Sequence, residues 1–431
     1  MTMNRIKMLK LIASFAMAML LCLSIATPAL MADNYSKGTE LEPAQAKITK
    51  VLTMADGTVT PVETFTFTMT SKKVNDETAT STNMPVIGSK TIGFTAADTG
   101  SVESGVKSVI KETTDDIFKD VDWPHAGVYI YTVEEEEGDM TGMTYSEAVY
   151  DVYVYVANGV NGLYVAGIGA YLMVDQDGEE ADEEKVDPTP GDPLIPGDHS
   201  EMIFNNTFIK QGGGDPTNPA DHMLNISKTV AGFAAGNDYG DRTKYFSFSL
   251  TVNKPATVDG SVTYFAYVVA PKSGGGLEVV TNEFNYASAL VTDQYGKYIP
   301  VVAGTPITIL LKHGQQLVFT NLHYGSSYIA TEAAVTDYTA KVDVVVNGAA
   351  PVTLSNASHQ TARSTAPNET PGLERVIGEG VNSAAFTNTY KSVTPTGINI
   401  DNLPFIVLIA VVSAALVIAL LIKHRSKEKK A

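Results

Sequence analysis

The sequence holds a single cysteine, Cys22, so no intrachain disulfide can form. Extracellular domains commonly rely on such staples. A chain that works outside the cell without them must brace itself in another way. Basic residues are scarce as well, 30 Lys and Arg against 48 Asp and Glu in the whole chain. Over residues 33–396 the count is 22 against 46, a net charge of −24. So acidic a body repels nucleic acid and anionic lipid. Histidines such as His125, His199 and His313 stand singly, and no nucleophile elbow, metal-binding cluster or phosphate loop occurs. No metal or cofactor is therefore expected, and an enzyme acting on a diffusible substrate finds little support. Asp175, Asp177, Glu179 and Glu180 crowd together but lack the glycine and terminal glutamate spacing of a calcium loop, which predicts a solvated hairpin tip.

Each end carries a long uncharged run flanked by basic residues. Arg5, Lys7 and Lys10 precede an apolar stretch, with small residues near Ala29 and Ala32 and helix-breaking Pro28 beside them. That pattern predicts a secretory signal peptide over residues 1–32. At the other end, 20 residues from Leu403 to Ile422 carry no charge, enough to cross a hydrocarbon core of ~30 Å. Lys423, Arg425, Lys427, Lys429 and Lys430 follow and keep the tail inside. Everything between is expected outside the cell.

Between the ends the chain reads as all-β. "FTFTMT", "GVYIYTVE" and "AVYDVYVYVA" in one half, and "KYFSFSLTV", "TYFAYVVA" and "AKVDVVV" in the other, are β-branched and aromatic runs separated by turn residues. A break at "KQGGGDPTNPADHM" concentrates Gly, Pro, Asn and Asp. The reading is two tandem β-sandwiches, residues 33–210 and 223–391, joined by a linker at 211–222 and followed by a terminal segment at 392–431. The stretches 81–90, 175–198 and 355–372 read as loops.

One constellation occurs twice. "AKITK" aligns Ala46, Ile48 and Lys50 on one strand face, and "LNISK" aligns Leu224, Ile226 and Lys228. "YTVEE" adds Glu135 to the apolar face of Tyr131 and Val133, as "YIATE" adds Glu332 to that of Tyr328 and Ala330. "MIFNN" lines up Asn206 with Met202 and Phe204, and "AAFTN" lines up Asn388 with Ala384 and Phe386. The interval from lysine to asparagine is 156 residues in the first half and 160 in the second.

Singly, each of these residues has an ordinary explanation: a snorkelling lysine, a solvated glutamate, a turn-capping asparagine. As an ordered triad repeated at matching parity and span, they point to chemistry. Three polar groups facing a core would be costly if left alone. Burial lowers the pKa of an amine and raises that of a carboxyl, leaving a neutral nucleophile beside a neutral acid. The amine can then attack the Asn carboxamide, with the glutamic acid hydrogen-bonded to the carbonyl oxygen and moving protons. Ammonia leaves, and a Lys-Asn isopeptide bond forms once per domain. Glu135 and Glu332 are the acid/base residues; Lys50, Asn206, Lys228 and Asn388 form the cross-links. In the first domain Lys47, Glu134 and Asn205 compete, and strand parity favours Lys50, Glu135 and Asn206.

These residues resemble those of Gram-positive pilus shaft subunits, the streptococcal type of major pilin with collagen-adhesin B-type domains. The matching stretches are "ITKVL" and "ISKTV", "FTFTMT" and "FSFSLT", "GVYIYTVEE", "YIATE" and "FTNTY". The resemblance implies a reversed immunoglobulin-like sandwich per domain, with the linked lysine and asparagine on the first and last strands. "VTPTG" at 393–397 resembles a sortase sorting signal, which implies cleavage between Thr396 and Gly397 and transfer to an amine. It implies as partners a sortase, further copies of the chain, minor pilins and the peptidoglycan. In the resembled pilins the acceptor lysine lies late in the first domain; Lys185, the only lysine between Asp120 and Ile209, is its candidate here. A wall-anchored or pilus-tip adhesin that binds a host ligand is the rival reading.

Overall fold

The computed structural model describes residues 36–103, 107–189, 199–232, 240–280, 290–357, 360–364, 376–391, 407–409 and 411–419. The signal peptide, Thr396 and Gly397 lie outside the described residues, and the apolar C-terminal run is described only in part, as helix at 407–409 and 411–419. Among the described residues, no helix is long and apolar enough to cross a membrane.

The described chain is mostly β-sheet and has two large separate cores, one drawn from residues 44–208 and the other from 223–386, with a small third cluster around Tyr267, Val269 and Val318. Alternation explains the strands. In β2 (Glu63–Val74) the residues Phe65, Phe67 and Met69 are buried while the intervening threonines face outward. Such β-branched and aromatic residues suit a half-buried pleated surface.

The first domain packs a sheet of five strands against one of eight. In the smaller, β1 (Thr49–Ala55) lies between β3 (Lys107–Thr113) and β9 (Ile203–Phe208), and β9 also meets the two-residue β5 (Met143–Thr144). In the larger, β4 (Gly127–Glu135) joins β2 to β6 (Val149–Asn158), which pairs in turn with β7 (Leu163–Val174). The segment read as an acidic loop instead forms an edge strand, β8 (Glu180–Val186), on β7. Pairing of its backbone overrides its poor propensity, and its charged side chains blunt the exposed edge. The tip before it is a tight turn: Asp175 Oδ1 accepts from the backbones of Asp177 and Glu179, each at 3.0 Å, and Gly178 takes φ +85°.

The second domain repeats the plan with strands distributed differently. β10 (Leu224–Ala231) and β16 (Ser383–Tyr390) are adjacent in a sheet of nine strands, with β15 (Tyr338–Val345) on the far side of β16. On the other side of β10 in that sheet, β13 (Gln316–Phe319) joins it to β12 (Thr263–Pro271). Facing them, β11 (Phe246–Asn253) pairs with β14 (Ser327–Glu332) in a sheet of four. In each domain the strand that carries the lysine and the strand that carries the asparagine are parallel neighbours, β1 with β9 and β10 with β16. Parallel neighbours cannot be closed by a hairpin, so each pair joins residues more than 150 positions apart. Thr361–Arg363, inside another stretch read as loop, forms a short strand on β14.

Candidate functional site

The repeated residues meet inside each sandwich. In the first domain Lys50 projects inward from β1 and Asn206 from the adjacent β9, while Glu135 reaches across from β4 in the opposite sheet. Lys50 Nζ donates to Glu135 Oε2 at 2.7 Å and to Oε1 at 3.0 Å. Asn206 Nδ2 donates to the same Oε1 at 2.6 Å. All three side chains are buried, although the backbone of Glu135 reaches the surface. The competitors lie elsewhere: Glu134 and Asn205 are exposed and Lys47 is half-buried.

The second site repeats this geometry. Lys228 Nζ donates to Glu332 Oε1 at 2.6 Å, and Asn388 Nδ2 donates to the same oxygen at 2.8 Å. The registers coincide too. Lys50 stands opposite Phe204 with Asn206 opposite Leu52, and Lys228 opposite Phe386 with Asn388 opposite Val230. Each lysine is thus offset by two residues from its asparagine, roughly 6.6 Å along a strand. Such a gap is within reach of the four-carbon stem of lysine. Glu135 is paired with Phe67, and Glu332 with Phe248.

Aromatic rings close both sites. Phe65 lies 4.4 Å from Lys50 Nζ and Phe246 lies 4.2 Å from Lys228 Nζ. Phe67 packs on Phe204 at 5.1 Å, as Phe248 packs on Phe386 at 5.0 Å. Phe65 and Phe246 do not figure among the residues singled out from sequence, although the repeated "FTFT" and "FSFS" carried the signal. Ser146, whose backbone N–H donates to Asn206 Oδ1 at 2.8 Å, left none, because a main-chain donor has no side-chain signature.

Burial sets the electrostatics. It pushes the Lys50 amine down to about 8, against the opposing pull of the Glu135 charge, and Lys228 likewise falls to about 8 beside Glu332. Desolvation raises the carboxyl pKa of Glu135 and of Glu332, with the lysine charges acting the other way. Both shifts favour the neutral pair. One carboxyl oxygen touches the amine nitrogen and the amide nitrogen at once, which equips it to pass a proton from the first to the second. This differs from the sequence reading, in which the acid bonds the amide oxygen: here the Glu oxygen accepts from the nitrogen that would leave.

Lys185 lies on β8, half-buried, opposite Tyr171 and beside Glu183 and Glu184. It belongs to an acidic edge, away from the core that holds the triad.

Residues 46–208 match the model of the FctA family, described as a Spy0128-like isopeptide containing domain. The first sandwich is similar to that family's domain over these residues. That match meets the resemblance to Gram-positive pilins. Residues 222–390 match a family described as a domain of unknown function, DUF7601, so the same buried triad occurs in a domain whose family description assigns it no role. Similar solved structures include the major pilin from Streptococcus pyogenes, at 20% identity and TM-score 0.32, covering 81% of this chain and 100% of that one. The major pilin protein T3.2 of serotype GAS13637 of that species is similar at 19% identity and TM-score 0.32, over 83% of this chain and 99% of that one. A pilus-presented adhesin, Spy0125 (Cpa), is similar at 20% identity and TM-score 0.19, over 57% and 36%. No curated protein matches the chain.

Proposed function

We propose that the chain is a structural subunit of a surface pilus, braced in each domain by a self-formed Lys-Asn isopeptide bond and polymerised by a sortase. One observation carries the reading: in both domains a single buried carboxyl oxygen contacts the lysine amine and the asparagine amide nitrogen. Neutral Lys50 attacks Asn206 Cγ, the displaced amine proton passes through Glu135 to Nδ2, and ammonia leaves. Lys228, Glu332 and Asn388 do the same. Held geometry of this kind contributes ~7 to 11 kcal/mol of barrier reduction. The reaction occurs once and has no turnover.

Intact mass of the purified ectodomain tests the bonds. Each completed bond removes one ammonia, about 17 Da, so two predict a deficit of about 34 Da. A mass equal to that of the unmodified chain would overturn the reading.

The reaction is also expected to depend on pH. It needs one proton shared between amine and carboxyl. Above the lysine value of about 8 that proton is lost, and the rate should fall about tenfold per pH unit. Toward acid, a second proton charges the amine as the raised carboxyl titrates, and the rate falls again. Stopped aliquots of freshly made chain, weighed between pH 5 and 10, check this profile.

Polymerisation rests on the "VTPTG" motif, with cleavage between Thr396 and Gly397, and on Lys185 as the acceptor amine. The chain would end on the peptidoglycan, alongside minor pilins. Lys185→Arg keeps the charge and removes the nucleophile. It is expected to abolish the ladder of covalent multimers in wall extracts, and an unchanged ladder would exclude Lys185.

A further inference from the structure

The two triads agree in register but differ at the amide oxygen. Asn206 Oδ1 accepts from the backbone N–H of Ser146 at 2.8 Å, whereas Asn388 Oδ1 is buried without a hydrogen-bonding partner. Topology causes the difference. β5 pairs with β9 through only two residues, Thr144 opposite Thr207 and Met143 opposite Phe208, and the chain then crosses to the other sheet as β6. Ser146 lies in that crossing, so its N–H is off the ladder and turns to the Asn206 side chain. In the second domain β15 stays paired with β16 from Tyr338 to Val345, with Ala340 opposite Asn388. The backbone at that level is committed to the sheet.

One side chain holds Ser146 in place. Gln176, just beyond β7, accepts from Ser146 Oγ at 2.6 Å and from Asn205 N at 2.9 Å through its Oε1, and donates from Nε2 to Ile203 O at 2.7 Å. Its own carbonyl accepts from Glu147 N at 3.2 Å. Gln176 therefore ties the crossing segment to the strand that carries Asn206.

The geometry points to the Ser146 N–H as an oxyanion donor for the first-domain cross-link, positioned by Gln176 and missing from the second domain, so that the two bonds form at different rates. This deepens the isopeptide reading and rests on it. Attack by Lys50 moves negative charge onto Asn206 Oδ1, and a fixed donor at that distance stabilises the charged state more than the neutral amide. The second site has no such donor among the described residues. A proton on Glu332 is what remains to it, and Glu332 Oε2 is likewise buried and unpartnered.

The test follows both bonds in one chain. The full-length protein is made by cell-free translation, synthesis is stopped, and aliquots are quenched in acid, digested and assayed by mass spectrometry for the Lys50–Asn206 and Lys228–Asn388 peptide pairs. The first pair is expected to accumulate at least tenfold faster, in line with the roughly hundredfold cost of losing one such donor. Gln176→Ala should slow the first pair by a similar factor and leave the second unchanged. Gln176→Glu, which keeps the acceptor for Ser146 Oγ and Asn205 N and loses the donor to Ile203 O, should restore part of the rate, a rescue that mere loosening of the fold would not give. Should Gln176→Ala fail to fold, Ser146→Ala provides the second variant: it keeps the N–H but cuts its tie to Gln176, and should slow only the first pair. Equal rates in the unaltered chain, or a first pair that fills as fast in the folded Gln176→Ala and Ser146→Ala variants as in the unaltered chain, overturn the assignment. Absence of both cross-linked peptides would instead defeat the isopeptide reading itself.

Discussion

Glu135→Ala and Glu332→Ala should each yield a chain one ammonia heavier than its doubly cross-linked form would weigh, with a melting transition lowered by tens of degrees in the affected domain. Two effects add. The first is loss of the covalent closure between Lys50 and Asn206, 156 residues apart, or between Lys228 and Asn388, 160 apart. By the chain-entropy account of a cross-link, closing a loop of that length contributes about 5 kcal/mol. In a domain of 150 to 250 residues each kcal/mol moves the midpoint by about 2 to 4 °C, which gives about 10 to 20 °C. The second effect belongs to the glutamate variants alone. Without the carboxyl, Lys50 or Lys228 remains in the core as an unreacted amine with its charge partner gone, and breaking a buried pair in that way costs about 3 to 5 kcal/mol. Asn206→Ala and Asn388→Ala keep the Lys–Glu pair and lose only the closure, so they should melt above the corresponding glutamate variants. Calorimetry of the four variants beside the unaltered chain measures both terms. A glutamate variant that keeps the mass deficit would show that the bond forms without its acid/base.

Under tension the same bonds should decide whether a domain extends at all. Lys50 and Asn206, and Lys228 and Asn388, lie on parallel neighbouring strands near the two ends of their domains. A pull on the two ends therefore reaches the covalent link before it reaches the hydrogen bonds between them. The segment enclosed by Lys228 and Asn388 is shielded, and the intact domain should give no unfolding step in single-molecule pulling. In Asn388→Ala those 160 residues are released. At the 3.3–3.6 Å reach of an extended residue this adds roughly 530 to 580 Å of contour length, less the folded separation. A step of that size in the unaltered chain would mean that the ends are not joined.

The triads were legible because three signals coincide in the sequence: strand parity, chain order and an equal span in both halves. Parity alone separated Lys50 from Lys47, Glu135 from Glu134 and Asn206 from Asn205, since side chains an odd number of residues apart on a strand face opposite sides of the sheet. The acidic β8 was not legible. Its composition is that of a solvated loop, and only the free edge of β7 makes it a strand. Nor could the contacts of Glu135 and Glu332 be read. Pattern assigns a residue to a face, but which amide atom meets the carboxyl depends on the distance between two sheets.

What the sequence determined by itself was the all-β character, the twofold repeat and which six polar side chains face the two cores, because these follow from the alternation of residues along single strands. What only the tertiary structure decided was the parallel pairing of the lysine-bearing and asparagine-bearing strands, the two-residue offset that brings amine and amide to one carboxyl oxygen, and the Ser146 N–H that the first domain has and the second lacks. Those depend on where strands leave one sheet for the other, and no local pattern of side chains records that.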